Sequence, residues 1–304
     1  MSNTTVQVSL TLRDMLRADR LPTTWCPGCG LGIVMNAILQ AVRHHGLLND
    51  RCTMVSGIGC TGRMSGYVDM NTLHTTHGRA PAFATGIKLA QPDMTVITVM
   101  GDGDAMAIGG NHLVHAMRRN IGMLAVVVNN NVYGLTGGQS SPTTPLGGHS
   151  TTAATGSFER PMNLEALAAA AGAAFYARST VHHTSSLVKC FEKGLAVDGF
   201  ALVEVLSNCH TLYGRMNGTP EAADMMLPMD AATRRTTPIL ERRAARPVHV
   251  TRQGVTAGSA LAHEARVRTD ARVRRGVVWQ RAGSRDLSHR LRETLDPAGG
   301  DGWR

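Results

Sequence analysis

Short apolar segments alternate along the chain with longer segments of helical periodicity. The apolar segments are rich in β-branched residues and predict buried strands, namely Thr53–Ser56, Thr95–Met100, Met123–Val128, Ala173–Ala177 and Phe200–Leu206. The segments between them predict helices, namely Leu31–His45, Ala80–Ala90, Ile108–Arg119, Asn163–Ala171 and Ser185–Ala196. This alternation predicts an α/β fold with a doubly wound, mostly parallel sheet, and 304 residues with 43% apolar content can bury a substantial core.

Two polar motifs follow neighbouring strands of this prediction. Gly101-Asp102-Gly103-Asp104 comes directly after one strand, and Asn129-Asn130-Asn131 ends the next. Open α/β sheets bind ligands at the carboxyl ends of their strands. The glycines would let a diphosphate approach the backbone, while Asp102 and an asparagine amide would supply oxygen ligands for Mg²⁺. Either motif alone could be a plain turn or strand end, but their spacing resembles the signature of thiamin diphosphate sites.

Four cysteines lie in turns that could bring their thiolates together. Cys26 and Cys29 form a CxxC turn containing Pro and Gly, Cys60 follows a buried strand in Gly57-Ile58-Gly59-Cys60, and Cys209 follows another. Such a set suits a [4Fe–4S] cluster or a structural zinc, and a thiol–disulfide pair is a further alternative. The diphosphate motif favours the cluster, because a carbanion-forming cofactor can use a nearby electron acceptor.

The remaining two cysteines are expected to be structural. Cys52 begins a predicted strand and Cys190 lies in a predicted helix, so both are interpreted as small buried apolar side chains. No signal peptide is recognisable before the cysteines, which predicts a cytoplasmic protein without disulfides.

Taken together, the motifs identify a family. Trp25-Cys26-Pro27-Gly28-Cys29-Gly30, the GIGC turn, His77-Gly78-Arg79, the GDGD and NNN motifs and Cys209 occur in the same order as in the β subunit of 2-oxoacid:ferredoxin oxidoreductases, which this chain resembles over roughly residues 20–230. The resemblance implies that the chain binds thiamin diphosphate, Mg²⁺ and one [4Fe–4S] cluster.

The resemblance also implies residue roles. The cluster ligands would be Cys26, Cys29, Cys60 and Cys209. The magnesium ligands would be Asp102, Asn130 and the backbone carbonyl of Val132. Contacts to thiamin diphosphate would come from Gly57, Ile58, Gly59, Cys60, His77, Gly78, Arg79, Gly101, Asp102, Gly103, Asp104, Asn130, Tyr133, Gly134, Leu135 and Thr136.

Two further assignments keep alternatives. Arg63 follows Cys60 closely, and the resemblance places a basic residue near the substrate carboxylate; a guanidinium can hold a carboxylate with two hydrogen bonds, but a surface arginine is an equally good interpretation. His112 and His115 are spaced for one helix face. Because no acidic partner accompanies them, a hydrogen-bonded helix face is a better interpretation than a metal site.

The implied reaction is the thiamin-dependent, CoA-linked oxidative decarboxylation of a 2-oxoacid, or its reductive reverse, with electrons passing to ferredoxin. The motifs resemble the 2-oxoglutarate and broad 2-oxoacid branch of the family more than the pyruvate-specific branch, and 2-oxoglutarate is the expected substrate, with succinyl-CoA as the product. Pyruvate or branched-chain oxoacids, a non-redox thiamin decarboxylase with a structural zinc, and a scaffold subunit without thiamin are the alternatives. Since only one thiamin-binding half is recognisable, an α subunit should supply the other, giving a dimer of αβ heterodimers.

Charge is concentrated at the end of the chain. The net charge is +9, yet residues 230–304 contain sixteen arginines and eight acidic residues, so the first 229 residues are nearly neutral. A high overall pI therefore does not indicate nucleic-acid binding, and no apolar run is long enough for a membrane span. The sequence predicts a cofactor-binding domain at residues 1–229 and an Arg-rich extension at 230–304, either poorly ordered or an arm that docks an acidic partner such as ferredoxin.

Overall fold

The computed structural model describes residues 11–235, 239–240, 273–280 and 285–289. In this part of the chain the α-helices are α1 Leu31–His44, α2 Ala80–Ala90, α3 Gly110–Arg118, α4 Leu164–Ala171, α5 Thr184–Leu195, α6 Ala222–Met226 and α7 Pro228–Ala232. The strands are β1 Cys52–Ser56, β2 Asn71–His74, β3 Thr95–Gly101, β4 Met123–Asn129, β5 Val132–Tyr133, β6 Gln139–Ser140, β7 Phe175–Thr180, β8 Phe200–Leu206, β9 Thr233–Arg235, β10 Ile239–Leu240 and β11 Val273–Gln280.

The main sheet is mostly parallel, as the sequence predicts. Its strand order is β10-β11-β7-β8-β4-β3-β1-β2, with β9 paired to β11. Every pairing from β7 across to β2 is parallel, and β11 runs antiparallel to β7. Strands β5 and β6 form a separate small hairpin. The centre of the sheet therefore brings the carboxyl ends of β1, β3, β4 and β8 to one edge.

Helices cover both faces of the sheet, and each face has its own core. Successive side chains of a strand point to opposite faces. Ile97 and Val99 of β3 accordingly belong to the core formed with α1 and α5, while Val96 and Met100 belong to the core formed with α2, α3 and α4. Burial on both faces explains why these strands read as continuous apolar runs.

Two predicted elements differ from the structure. The strand predicted at Ala173–Ala177 lies at Phe175–Thr180. It begins later because the turn after α4 extends past Gly172, where Ala173 donates its backbone N–H to the carbonyl of Ala168. The helix predicted at Ile108–Arg119 is divided into a π-helical turn at Asp104–Ile108 and α3, with Gly109 between them. Glycine has a low helix propensity, and the divided helix lets Asp104 turn into the edge of the sheet.

Strand β2 is absent from the sequence prediction. Its four residues are largely exposed at the edge of the sheet, so they carry no apolar pattern that would mark them as a strand. The N-terminal segment is also held here, since Leu16 forms an isolated antiparallel bridge with Val68. Met15 beside it is fully buried in the core.

The proposed boundary between residues 229 and 230 stays a prediction, because most of the second segment lies outside the described residues. The part that is described includes β11, which extends the main sheet next to β7. Trp279 of β11 is buried and stacks on Tyr176 with ring centroids 6.1 Å apart. Among the helices of the described residues, none combines the length and the hydropathy needed to cross a bilayer.

Packing of α1 against the sheet yields a stability prediction. Leu39 of α1 is 1% exposed, whereas Leu48 beyond the helix is 42% exposed. Leu39→Ala should lower the free energy of unfolding by about 2–5 kcal/mol, since a buried leucine loses its transfer energy and leaves a cavity. Urea unfolding followed by circular dichroism measures this, with Leu48→Ala as the matched control. Equal losses for the two variants would contradict the assignment of α1 to the core.

Candidate active site

The GDGD and NNN motifs lie side by side at the carboxyl edge of the sheet. Strand β3 pairs with β4 so that Gly101 is opposite Val128. Asp102 therefore leaves the sheet at the level at which β4 enters its asparagine turn. The adjacency inferred from the sequence follows directly from this register.

Asp102 is buried in a ring of hydroxyl groups. Its side chain is 2% exposed, and its Oδ2 accepts hydrogen bonds from Ser141 Oγ at 2.6 Å and from Thr143 Oγ1. Burial raises the pKa of this carboxyl to about 6, although the hydrogen bonds from Ser141 and Thr143 act in the opposite direction. The charged form of Asp102 therefore gains from any cation placed beside it.

The same hydroxyl-rich loop also fixes the asparagine turn. Thr144 donates its Oγ1 hydrogen to the carbonyl oxygen of Asn131 at 2.7 Å, and Asn131 has a left-handed φ of 64°. Asn130 is 9% exposed, and its Oδ1 accepts a weak hydrogen bond from the backbone N–H of Val132 at 3.4 Å. The three expected magnesium ligands thus lie in two turns joined by residues 141–144.

A buried ionic network supports the asparagine turn from below. Asn129 donates its side-chain N–H to Glu204 at 2.8 Å, and Glu204 also accepts from Arg178 Nε at 2.6 Å and from the hydroxyl of Tyr176 at 2.5 Å. Burial alone would raise the pKa of Glu204, but the Arg178 guanidinium and the hydrogen bonds hold it below its usual value. Because Glu204 is buried and fully paired, it keeps Asn129 in one orientation.

Asp104 joins three of the predicted cofactor-binding segments. Its Oδ1 accepts hydrogen bonds from the backbone N–H of Gly78 at 2.7 Å, from the backbone N–H of Ile58 at 3.3 Å and from His77 Nδ1. Arg79 donates to the carbonyl of His77 at 3.0 Å, at the start of α2. The GIGC turn, the HGR segment and the GDGD loop are therefore connected through one carboxylate.

Close packing at this point requires glycine at two positions. A Cβ atom on Gly57 would lie 1.8 Å from Asp104 Oδ2, and one on Gly103 would lie 2.2 Å from the ring of Tyr133. The hydroxyl of Tyr133 in turn donates to the carbonyl of Gly103 at 3.2 Å. These glycines are thus needed to bring the segments together, in addition to any approach of a ligand.

The four predicted cluster cysteines converge at the same edge. A Cβ atom on Gly134 would lie 3.5 Å from Cys60 Sγ and 3.6 Å from Cys209 Sγ, which places both sulfurs against the loop that follows β5. The CxxC turn is joined to Cys209 through its neighbour Asn208, which accepts from the backbone N–H of Gly30 at 2.9 Å and donates to the carbonyl of Gly28 at 3.0 Å.

The pKa values of these thiols reflect their proximity. The pKa of Cys29 and of Cys60 is raised to about 11, mainly by burial and in part by negative charge on the other cysteines of the set. Burial, with a contribution from Cys26, also raises the pKa of Cys209. By contrast, Cys52 and Cys190 are buried in the hydrophobic core, as predicted, and all six cysteines are free thiols.

The remaining predicted residues are spread around this edge. Arg63 is exposed on the short 3-10 helix Thr61–Gly66, which begins directly after Cys60. In the loop after β5, Leu135 is 55% exposed and Thr136 bonds to Gln139. Within the described residues, neither His112 nor His115 belongs to a group of side chains close enough to share a metal ion, which agrees with the helix-face interpretation.

Sequence reasoning did not assign roles to Ser141, Thr143, Asn208 or Glu204. The stretch Ser140-Ser141-Pro142-Thr143-Thr144 carries a recognisable signal, since its hydroxyls are concentrated in a loop close to the predicted metal site. A glutamate within the apolar strand β8 is also conspicuous. Its partner Arg178 could not be identified, because the pairing depends on the register between β7 and β8.

Comparison with known proteins agrees with this geometry. Residues 57–205 match the family model of the C-terminal TPP binding domain of thiamine pyrophosphate enzymes. This range contains the GIGC, HGR, GDGD and asparagine segments described above. The match shows that the chain contains a thiamin diphosphate-binding domain.

Several similar proteins are named KorB. The chain is 52% identical to the 2-oxoglutarate synthase subunit KorB of Methanocaldococcus jannaschii over 211 residues, which cover 69% of this chain and 78% of the relative. It is 43% identical to the 2-oxoglutarate oxidoreductase subunit KorB of Mycobacterium tuberculosis over 185 residues, covering 61% of this chain and 50% of the relative.

A solved structure has the same fold. The 2-oxoglutarate:ferredoxin oxidoreductase from Magnetococcus marinus, with 2-oxoglutarate, coenzyme A and succinyl-CoA bound, superposes with a TM-score of 0.78 at 29% identity and covers 97% of this chain and 94% of its own. The sequence motifs, the geometry of the sheet edge and these similarities agree, and the chain belongs to the family of KorB subunits of 2-oxoglutarate synthases, within the 2-oxoacid:ferredoxin oxidoreductases.

Proposed function

We propose that this chain is the β subunit of a 2-oxoglutarate:ferredoxin oxidoreductase, which converts 2-oxoglutarate and CoA to succinyl-CoA and CO₂ or runs the reverse reaction. The two relatives compared above are named for 2-oxoglutarate, and the similar structure from Magnetococcus marinus has 2-oxoglutarate, coenzyme A and succinyl-CoA bound. The observation that carries the proposal is the convergence of four thiols on the edge of the sheet that presents the diphosphate motifs.

Magnesium and the cofactor diphosphate fit the GDGD and asparagine turns. Asp102 is a buried carboxyl with a raised pKa, so a divalent cation would stabilise its ionised form, while Ser141 and Thr143 engage its Oδ2. Asn130 and the carbonyl of Val132 would complete the protein ligands, since oxygen donors are those that Mg²⁺ prefers. Ser141 and Thr143 would orient the carboxylate from behind.

Thiamin diphosphate supplies, when bound, a nucleophilic carbon that attacks the 2-oxo group and allows CO₂ to leave. The chain's own residues would hold and enclose it. Asp104 fixes the turn of His77 and Gly78, which would lie beside the diphosphate, and the glycine-rich loop Tyr133–Thr136 would cover the site and exclude water. The Glu204 network keeps the asparagine turn fixed while the substrate enters and leaves.

The spacing of the four sulfurs supports an iron–sulfur cluster over zinc. A tetrahedral zinc with Zn–S bonds of about 2.3 Å holds its sulfurs about 3.8 Å apart. No three of the sulfurs of Cys26, Cys29, Cys60 and Cys209 lie within 4.8 Å of one another, yet the thiols are close enough to influence each other's pKa. A cubane separates its cysteine ligands more widely, and this arrangement fits it.

The charge of the set leads to the same interpretation. Four thiolates held close together would repel one another, and the pKa values of Cys29 and Cys60 are raised mainly by partial burial and also by the neighbouring cysteines. Iron atoms at the centre would offset the repulsion and provide a one-electron acceptor beside the reacting carbon. A non-redox decarboxylase would have no use for such a group at this position.

A second subunit completes the proposed enzyme. The family match covers a single thiamin-binding half, and activation of thiamin needs a carboxylate against its pyrimidine ring, for which this half offers no candidate in its motifs. We place that carboxylate on an α subunit and propose a dimer of αβ heterodimers with ferredoxin as the electron acceptor. Six free cysteines suit the reducing conditions of the cytoplasm.

Removal of one cluster ligand tests the iron–sulfur assignment. Cys60→Ser should lose most of the bound iron and sulfide, together with the visible absorption of the cluster, because three thiolates hold a cubane weakly. Iron and sulfide analysis of the purified protein measures the loss. Cys190→Ala, in the core at α5, is the control and should retain the cluster. Zinc in place of iron in the unmodified protein would contradict the assignment.

Substitution behind the metal tests the magnesium site. Ser141→Ala removes a hydrogen bond to Asp102 and should weaken Mg²⁺-dependent binding of thiamin diphosphate by about 10–100-fold, as for other residues that orient a metal ligand. Asp102→Ala removes the ligand itself and should weaken binding further. Calorimetric titration with thiamin diphosphate at saturating Mg²⁺ gives both affinities, with the exposed Ser185→Ala as the control. If Asp102→Ala bound the cofactor normally, the metal would lie elsewhere.

Expression with and without the partner tests the proposed function as a whole. The chain alone should bind the cluster but give negligible turnover, while the chain purified with its α subunit should reduce ferredoxin with 2-oxoglutarate and CoA. A panel that includes pyruvate and a branched-chain 2-oxoacid should show the highest kcat/KM for 2-oxoglutarate. Full activity of the chain alone would overturn the two-subunit proposal, and a preference for pyruvate would overturn the substrate.

A further inference from the structure

A pocket with three arginines opens next to the GIGC turn. Its cavity has a volume of about 450 Å³, and its charged or titratable lining residues are Arg17, Arg20, Arg63, Tyr67 and His74. No aspartate or glutamate is among the residues that line it. Side chains of one sign around a concave surface create a positive potential that favours an anionic ligand.

The pocket borders the proposed cofactor site. Gly62 forms part of its wall, and a Cβ atom there would lie 2.2 Å from the carbonyl oxygen of Gly57. His74 on another wall accepts or donates a hydrogen bond at 2.8 Å with Ser56, the last residue of β1. A substrate that reacts at the cofactor could therefore extend its far end into the pocket.

Arg17 is held in place from two directions. Its backbone N–H donates to the carbonyl of Tyr67 at 2.9 Å, and the neighbouring bridge between Leu16 and Val68 fixes the segment on the protein. Its guanidinium donates from Nη2 to Thr72 Oγ1 at 3.0 Å and, at 3.5 Å, to the carbonyl of Met70. These bonds engage one end of the planar group and leave donors for a ligand.

Arg63 lines the same pocket next to Tyr67. The Tyr67 hydroxyl accepts a hydrogen bond from the backbone N–H of Thr24 at 2.9 Å and shares another with the Thr24 hydroxyl at 2.8 Å. Although burial acts in the opposite direction, these bonds and the nearby Arg63 guanidinium lower the pKa of Tyr67. Arg20 is more exposed and pairs with Asp19 at 3.2 Å at the rim, an exposed ion pair that contributes little. The pocket thus has two positioned guanidinium groups and one adaptable group at its entrance.

We propose that Arg17, with Arg63 and Arg20, forms a subsite for the oxyanionic end of a substrate, away from the reacting carbonyl. The inference rests on the proposed function, which offers two sources of such a group: the distal carboxylate of 2-oxoglutarate and the phosphates of CoA. Arginine suits either, because its planar donors match carboxylate and phosphate oxygens in pairs. The N-terminal segment, which lies outside the matched thiamin domain, thereby contributes to substrate selection.

Steady-state kinetics of the assembled αβ enzyme distinguish the two sources. Arg17→Gln should raise one KM by about 10–100-fold with little change in kcat, since a charge-assisted hydrogen bond to a bound anion is lost. A rise for 2-oxoglutarate but not for 2-oxobutyrate, which lacks the distal carboxylate, assigns the subsite to the oxoacid. A rise for CoA but not for dephospho-CoA assigns it to the 3′-phosphate. Arg118→Gln, on the exposed end of α3, is the matched control.

Other results would overturn the subsite. An unchanged set of KM values, or an equal fall in kcat for every substrate, would mean that Arg17 has only a structural role. If the Arg17→Gln variant does not assemble with the α subunit, the same KM comparison can be made with Arg20→Gln, whose side chain is exposed. That variant should raise the same KM several-fold. Unchanged KM values for Arg20→Gln would overturn the subsite.

Failure of the proposed function has a separate signature. If the unmodified enzyme turned over no 2-oxoacid, the proposed function would fail. The affinities of the protein for 2-oxoglutarate and for CoA, measured by calorimetry, would then test the subsite independently. If the Arg17→Gln variant bound either ligand more weakly than the Arg118→Gln variant, the proposed subsite would still be supported. Equal binding by the two variants, or none by the unmodified protein, would reject it.

Discussion

Burial of anionic groups at one edge of the sheet is the constraint on which the rest of the structure depends. Asp102 and the thiols of Cys29, Cys60 and Cys209 lie in buried or half-buried positions where ionisation is unfavourable, as their raised pKa values express. Cations stabilise such groups and neutralise their repulsion. Two positively charged centres, the proposed divalent ion and the proposed iron–sulfur cluster, would offset this cost.

The parallel sheet makes this concentration of charge possible. Because β1, β3, β4 and β8 end at the same edge, segments distant in sequence meet there without long connections. Side chains behind the edge then fix the turns: Ser141 and Thr143 hold Asp102, Glu204 holds Asn129, and Asp104 joins the GIGC and HGR segments. Packing and hydrogen bonds make the edge rigid, while the proposed cations would neutralise the negative charge of the carboxylate and the thiolates.

The elements and motifs could be predicted from the sequence because each has a local signal. Apolar runs marked the central strands, and GDGD, NNN and CxxC marked the loops that are proposed to bind ligands. The rest depends on contacts between distant segments. The exposed edge strand Asn71–His74 has no apolar pattern, and the pairing of Arg178 with Glu204 follows from the register of two strands. The place of Arg17 next to Arg63 depends on contacts of the N-terminal segment with residues 67–72.

Electron paramagnetic resonance of the assembled enzyme tests the central claim most directly. The account requires that the cluster lie close enough to the thiamin site to receive an electron from the substrate. Addition of 2-oxoglutarate without ferredoxin should therefore produce the signal of a reduced [4Fe–4S] cluster when thiamin diphosphate and Mg²⁺ are bound, and no signal when they are removed. A cluster that stays oxidised under the first condition, while dithionite still reduces it, would contradict the account.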